Sequence, residues 1–101
     1  MAKLSNSQRK YLRGLAHALR PTVMIGKQGL SEQVVDKIDQ ELNAHELIKL
    51  KFLEFHDEKE QLSEEIASRT TSTLVSLVGF TAVFYRQHPD WEQRTIALPA
   101  A

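Results

Sequence analysis

The 101-residue chain is predicted to fold as an α/β domain of order α-β-α-β-α-β-β, in two layers, with a four-stranded mixed sheet and its helices packed on one face. Three observations predict this. The apolar period switches repeatedly between the 3.6 residues of an amphipathic helix and the 2 residues of a strand. Pro21 and the glycines at 26, 29 and 79 fall where the period switches. The length allows one core, burying roughly 65% of the surface of the unfolded chain. One domain is therefore expected over 1–101, with its core at about 4–86 and a polar tail at 87–101.

Ser5-Asn6-Ser7-Gln8 has the spacing of a capping box, in which Ser5 closes the first amides and Gln8 reaches back. Leu12, Leu15, Ala16 and Leu19 then form a helical core stripe, and Pro21 is expected to stop the helix. Arg9, Arg13, His17 and Arg20 fall within roughly an 80° arc of this helix at 100° per residue. A short strand follows over Thr22 to Ile25, then the loop Gly26-Lys27-Gln28-Gly29. Ser31 is a good N-cap for a second helix, with Leu30 able to staple onto Val35. Val34, Val35, Ile38 and Leu42 give that helix its buried stripe, and Glu32, Asp36, Asp39 and Glu41 its acidic outer face.

Ile48, Leu50 and Phe52 alternate with Lys49 and Lys51, which reads as a strand over Leu47 to Phe55 with one face packed and the other solvated. Asp57 to Glu60 looks like a second capping box, opening a third helix on a thin stripe of Leu62, Ile66 and Ala67. Leu74 to Val78 and Ala82 to Arg86 form the arms of a closing hairpin. At strand spacing one of Phe84 and Tyr85 faces the core, and both are read as structural. The segment Gln87 to Arg94 reads as loop, with Ile96-Ala97-Leu98 placed to add back onto the sheet. Trp91 either covers a sheet edge or extends a binding surface.

Composition narrows function. The chain has 13 basic and 13 acidic residues and no net charge, but they are segregated. Residues 1–29 carry 6 basic and 0 acidic groups, whereas residues 30–66 carry 4 and 11. Such a molecule can turn a positive face to phosphates while its acidic face stays in solvent. The absence of cysteine excludes disulfides, thiolate metal sites and a cysteine nucleophile. His17, His45, His56 and His88 lack metal-motif spacing, and no serine sits in a nucleophile elbow or phosphate loop. No catalytic residue, metal site or cofactor is expected, and the protein is read as non-enzymatic. The polar N-terminus and the lack of a long apolar run lead to the expectation of a cytoplasmic protein without a membrane partner.

The strand–glycine loop–helix passage at Gly26, Lys27, Gln28 and Gly29 suits nucleic acid. Glycine lacks a Cβ, so a sugar-phosphate backbone can approach the main chain, and amides at the following helix start can point at a phosphate oxygen. The cations Arg9, Lys10, Arg13, His17, Arg20 and Lys27 are the candidate phosphate contacts. The competing reading is an adaptor that holds a basic ribosomal protein on the acidic face of the second helix.

Three passages carry a family resemblance: Leu4-Ser5-x-x-Gln8-Arg9-x-Tyr11-Leu12-Arg13-x-Leu15-Ala16-His17, then Arg20-Pro21-x-Val23-x-Ile25-Gly26-x-x-Gly29-Leu30-Ser31, then His45-Glu46-Leu47-Ile48-Lys49-Leu50-Lys51. Together with Leu74-Val75-x-x-Val78-Gly79, Val83-Phe84-Tyr85-Arg86 and Ile96-Ala97-Leu98-Pro99, they resemble the CRM domain, the chloroplast RNA splicing and ribosome maturation module, in its stand-alone bacterial YhbY form. The resemblance implies an RNA-binding fold similar to the C-terminal domain of translation initiation factor three, with the Gly-x-x-Gly loop contacting RNA. It also implies association with precursor RNA of the large ribosomal subunit. The chain departs from the family pattern at Phe80-Thr81, where basic or polar residues are common, and over Gln87 to Thr95, which is longer than usual.

Overall fold

The computed structural model describes residues 3–100. The elements are α1 (Asn6–Ala16), β1 (Val23–Ile25), α2 (Glu32–His45), β2 (Leu47–Phe52), α3 (Lys59–Thr70), β3 (Thr73–Val78) and β4 (Thr81–Tyr85), in the order expected. The sheet runs β1-β2-β4-β3, with β1 and β2 parallel and the other pairs antiparallel.

Local chemistry accounts for the helix starts. The Ser5 hydroxyl accepts from the Gln8 amide at 3.1 Å and the Gln8 side chain accepts from the Ser5 amide at 3.0 Å, so the capping box is formed. Ser31 caps α2 by accepting from the Val34 amide at 3.2 Å. The third helix starts differently. Glu58 is its N-cap without a side-chain bond, and a 3₁₀ turn over His56–Glu58 takes the place of the expected capping box. The bond from the Glu58 amide to the Phe55 carbonyl closes that turn. At the other end of α1, the helix stops at Ala16, ahead of Pro21. Bonds from His17, Ala18 and Leu19 to carbonyls three residues back tighten its last turn, and the residue before a proline is in any case driven out of helical geometry.

The helices do not share one face. Val23, Ile25, Ile48, Leu50, Phe52, Ala82 and Phe84 pack with Ile38, Leu42 and Ile66 of α2 and α3. Leu47, Val75, Val83 and Tyr85 point the other way and pack under Leu12 and Ala16 of α1. The fold is thus three layers, and the reason is the interior strand β4. Its Ala82-Val83-Phe84-Tyr85 run is buried on both sides, so both sides need a cover. Leu15, assigned to the buried stripe, is 37% exposed at the edge of that cover.

The tail completes the α1 layer without joining the sheet. Ile96 and Leu98 pack against the α1-side cluster, and the Gln8 side-chain amide donates to the Pro99 carbonyl at 2.9 Å. The tail is anchored at Glu46, which ends α2 with φ 63° and whose carboxylate is buried. That carboxylate accepts from the amides of His88 (2.7 Å), Thr95 (2.6 Å) and Ile96 (3.0 Å) and from the Thr95 hydroxyl (3.2 Å).

Candidate nucleic-acid interface

The sheet separates the charges. Glu32, Asp36, Asp39 and Glu41 on α2 and Glu60, Glu64 and Glu65 on α3 belong to one outer layer, while α1 forms the other. Because α1 is short, it covers only part of its face. The uncovered part is a groove of about 450 Å³ lined by Arg13, Ala16, His17 and Pro21 on one side, Lys49 and Lys51 on its floor, and Ser76, Val78, Thr81 and Val83 on the hairpin. Among the described residues no carboxylate lines it. Beyond Lys49 a second hollow, of about 460 Å³, carries Arg20 and His45 over an apolar floor that includes Leu15, Leu19 and Leu47.

The expected cations divide between these places. Arg13 and His17 converge on the groove, and Arg20 lines the adjoining hollow, because the chain leaves helical phase after Ala16. Lys10 lies on the opposite flank of α1, beside Tyr11 and Pro99. Arg9 turns to the sheet. Its Nη1 donates to the carbonyls of Leu74 (2.7 Å) and Val75 (2.9 Å), where the β3–β4 register shifts between Leu74 and Ser76. The ladder is irregular here, and Arg9 ties the two carbonyls at the irregularity to α1. Lys49 and Lys51 are the cations that sequence reasoning passed over as a solvated strand face. The usable signal was their alternation with the core residues of β2.

The glycine loop is a closed turn, with the Gly29 amide donating to the Gly26 carbonyl at 3.0 Å and Lys27 and Gln28 exposed at its tip. Its two glycines differ. Gly29 is buried at φ 64°, and the Phe55 ring lies 3.5 Å from where a Cβ would sit, so this glycine serves the turn and the packing. Gly26 has nothing within 4 Å of that position. The open main chain expected across the loop is therefore confined to Gly26 through Gln28. This stretch sits at the same sheet end as Lys51, since β1 and β2 run parallel with Met24 opposite Lys51 and Ile25 opposite Phe52.

Two ionisable groups lie under the tail. Burial pushes the Glu46 carboxyl up, but its four hydrogen bonds outweigh this and hold it below its ordinary value. The Tyr85 phenol is pushed up to about 12 by burial and by the Glu46 charge, against the pull of Arg94. Its hydroxyl is buried without a hydrogen-bond partner. Among the described residues no three acidic, histidine or cysteine side chains are grouped to hold a metal, and no helix is long and apolar enough to cross a membrane.

The sequence profile of the CRS1/YhbY (CRM) domain matches residues 4–86. The chain belongs to the CRM domain family. Similar proteins of this family include a Haemophilus influenzae protein named "RNA-binding protein", 41% identical over 100 residues that cover 98% of this chain and 98% of its own. A Bacillus subtilis protein named "probable RNA-binding protein" is 33% identical over 97 residues, covering 95% of this chain and 99% of its own. The solution structure of a Staphylococcus aureus protein has the same fold, with a TM-score of 0.79 and 38% identity over 96% of this chain and all of that one. The family match spans α1, the glycine turn and all four strands, and so includes every residue that lines the groove.

Proposed function

We propose that this CRM-family chain is a non-enzymatic, cytoplasmic RNA-binding protein acting as one domain over 1–101, and that its RNA is the precursor of the large ribosomal subunit. The observation that carries RNA binding is the groove between α1 and the sheet, lined by Arg13, His17, Lys49 and Lys51 and by no carboxylate among the described residues, whose Lys51 lies at the sheet end that also carries the Gly26 to Gln28 turn. Arg13, His17, Arg20, Lys27, Lys49 and Lys51 neutralise phosphates, with Lys10 at the flank. Arg9, spent on β3 carbonyls, supports α1. The names carried by the Haemophilus and Bacillus relatives support the RNA partner. The ribosomal part rests on the family resemblance.

Salt dependence tests the reading. With about five phosphate contacts, log K falls against log salt with a slope of roughly −3.5 to −4.5, about two orders of magnitude between roughly 50 and 200 mM salt. A slope near zero removes the mechanism. Arg13→Glu with Lys51→Glu is expected to abolish binding to structured RNA while leaving the fold intact, since both side chains are exposed.

A further inference from the structure

We infer that Phe80, seated on His56, is a stacking platform for an unpaired base of the bound RNA, so that the preferred ligand is a single-stranded or bulged segment. This rests on the RNA-binding reading above and adds what the groove alone does not supply, a distinction between paired and unpaired strands.

Phe80 is an unusual residue for its position. It occupies the second place of the two-residue turn between β3 and β4, after Gly79 at φ 58°, where small polar residues are the ordinary choice. Its ring belongs to neither core and remains 46% exposed. Yet it is held in place. The Phe80 carbonyl accepts from the Phe52 amide at 2.7 Å, and the Gly79 carbonyl accepts from Lys59 Nζ at 2.6 Å. The ring stacks on His56 with centroids 3.8 Å apart and planes 13° from parallel, and Lys59 Nζ lies 5.0 Å from its centroid. His56 is itself fixed, with Nε2 bonded to the Phe52 carbonyl at 3.1 Å. The exposed part of this ordered, near-parallel ring pair, with the flexible Lys59 ammonium over Phe80, offers a flat surface to one more ring.

The neighbourhood selects the occupant. Val78 and Thr81, on either side of the Gly79-Phe80 turn, both line the cationic groove, so the turn that carries Phe80 lies at the groove's end, within reach of a base whose backbone sits in the groove. The same segment reaches the glycine turn, because Phe55, at φ 61°, lays its ring on Gly29 while the next residue lays its ring on Phe80. A left-handed φ is strained for an aromatic residue, and this one splays two consecutive rings toward the two turns. Asp57 and Glu58 follow His56 and are exposed, which keeps phosphates away and leaves the backbone in the groove with the base turned toward the rings. Phenylalanine offers a base no hydrogen bond, so recognition is of an unpaired base of any identity. A continuous duplex hides its base faces and cannot use the platform.

The test is binding of the full chain to a short RNA with an unpaired loop containing 2-aminopurine, and to a fully paired duplex of matched length. Phe80→Ala should weaken binding to the looped RNA by about tenfold, leave duplex affinity and the salt slope unchanged, and abolish the 2-aminopurine quenching seen with wild type. Phe80→Trp should keep both affinity and quenching. Should Phe80→Ala lower the melting midpoint, Phe80→Leu, which keeps bulk without a ring, decides the question by the same readouts. Unchanged affinity for looped RNA in these variants, or an equal loss for loop and duplex, overturns the platform and leaves the phosphate groove standing. Wild-type protein that binds neither RNA at low salt overturns both.

Discussion

Gly26 and Gly29 frame one turn and do different work, and each can be tested by adding a single methyl group. Gly29→Ala forces a Cβ into a left-handed φ of 64° beside the Phe55 ring and is expected to cost about 1–2 kcal/mol of stability, read in a denaturant melt, with RNA affinity of the folded protein retained. Gly26→Ala meets no atom, so stability should hold while affinity falls several-fold as the ribose-phosphate is pushed off. Arg9 and Arg13 give a second crossed pair. Arg9→Ala removes two half-buried charged hydrogen bonds and should cost about 1–3 kcal/mol in the melt, with little change in salt slope. Arg13→Ala should leave the melt unchanged and make the slope shallower by about one unit. If the two arginines behave alike, the distinction between a structural and a binding cation is wrong.

At the scale of elements, the junction of α2, β2 and the tail hangs on Glu46. Its carboxyl is depressed below the ordinary 4.5, so its contribution is complete above that pH and is lost as pH falls through the lowered value. Amide exchange at Thr95 and Ile96 should therefore be slow at neutral pH and accelerate in acid, and Glu46→Gln should raise it at neutral pH. Protection that ignores both changes would show that the tail is held by Ile96 and Leu98 alone. This junction marks the limit of what the sequence discloses. The capping box at Ser5 and Gln8, the Ser31 cap and the alternation in β2 are local, with partners three residues apart or a period of two, and they were legible. Glu46 is bound by residues 42 to 50 positions away, and nothing local distinguishes it from the other carboxylates of α2. The apolar run of β4 was visible as a hairpin arm, but its burial on both faces depends on its interior place in the sheet order, which local pattern does not encode. The groove was legible in part for the same reason. Arg13 and His17 stood out on a helix, whereas Lys49 and Lys51 gain their meaning only when α1 crosses the strand that carries them.

For the molecule as a whole, the sheet acts as a wall between two fields of opposite sign. On the proposed reading the acidic layer of α2 and α3 repels a polyanion and the α1 layer attracts it, which would give a chain of zero net charge one binding side. The most direct test of this claim is a titration of ¹⁵N-labelled protein with a structured RNA, followed by amide chemical shifts. The account predicts perturbations at Arg13, His17, Lys49, Lys51 and Gly26 through Gln28, with the amides of α2 and α3 beyond their first turns unmoved. Shifts concentrated on the Asp36 to Glu41 side of α2, with the groove silent, would contradict it.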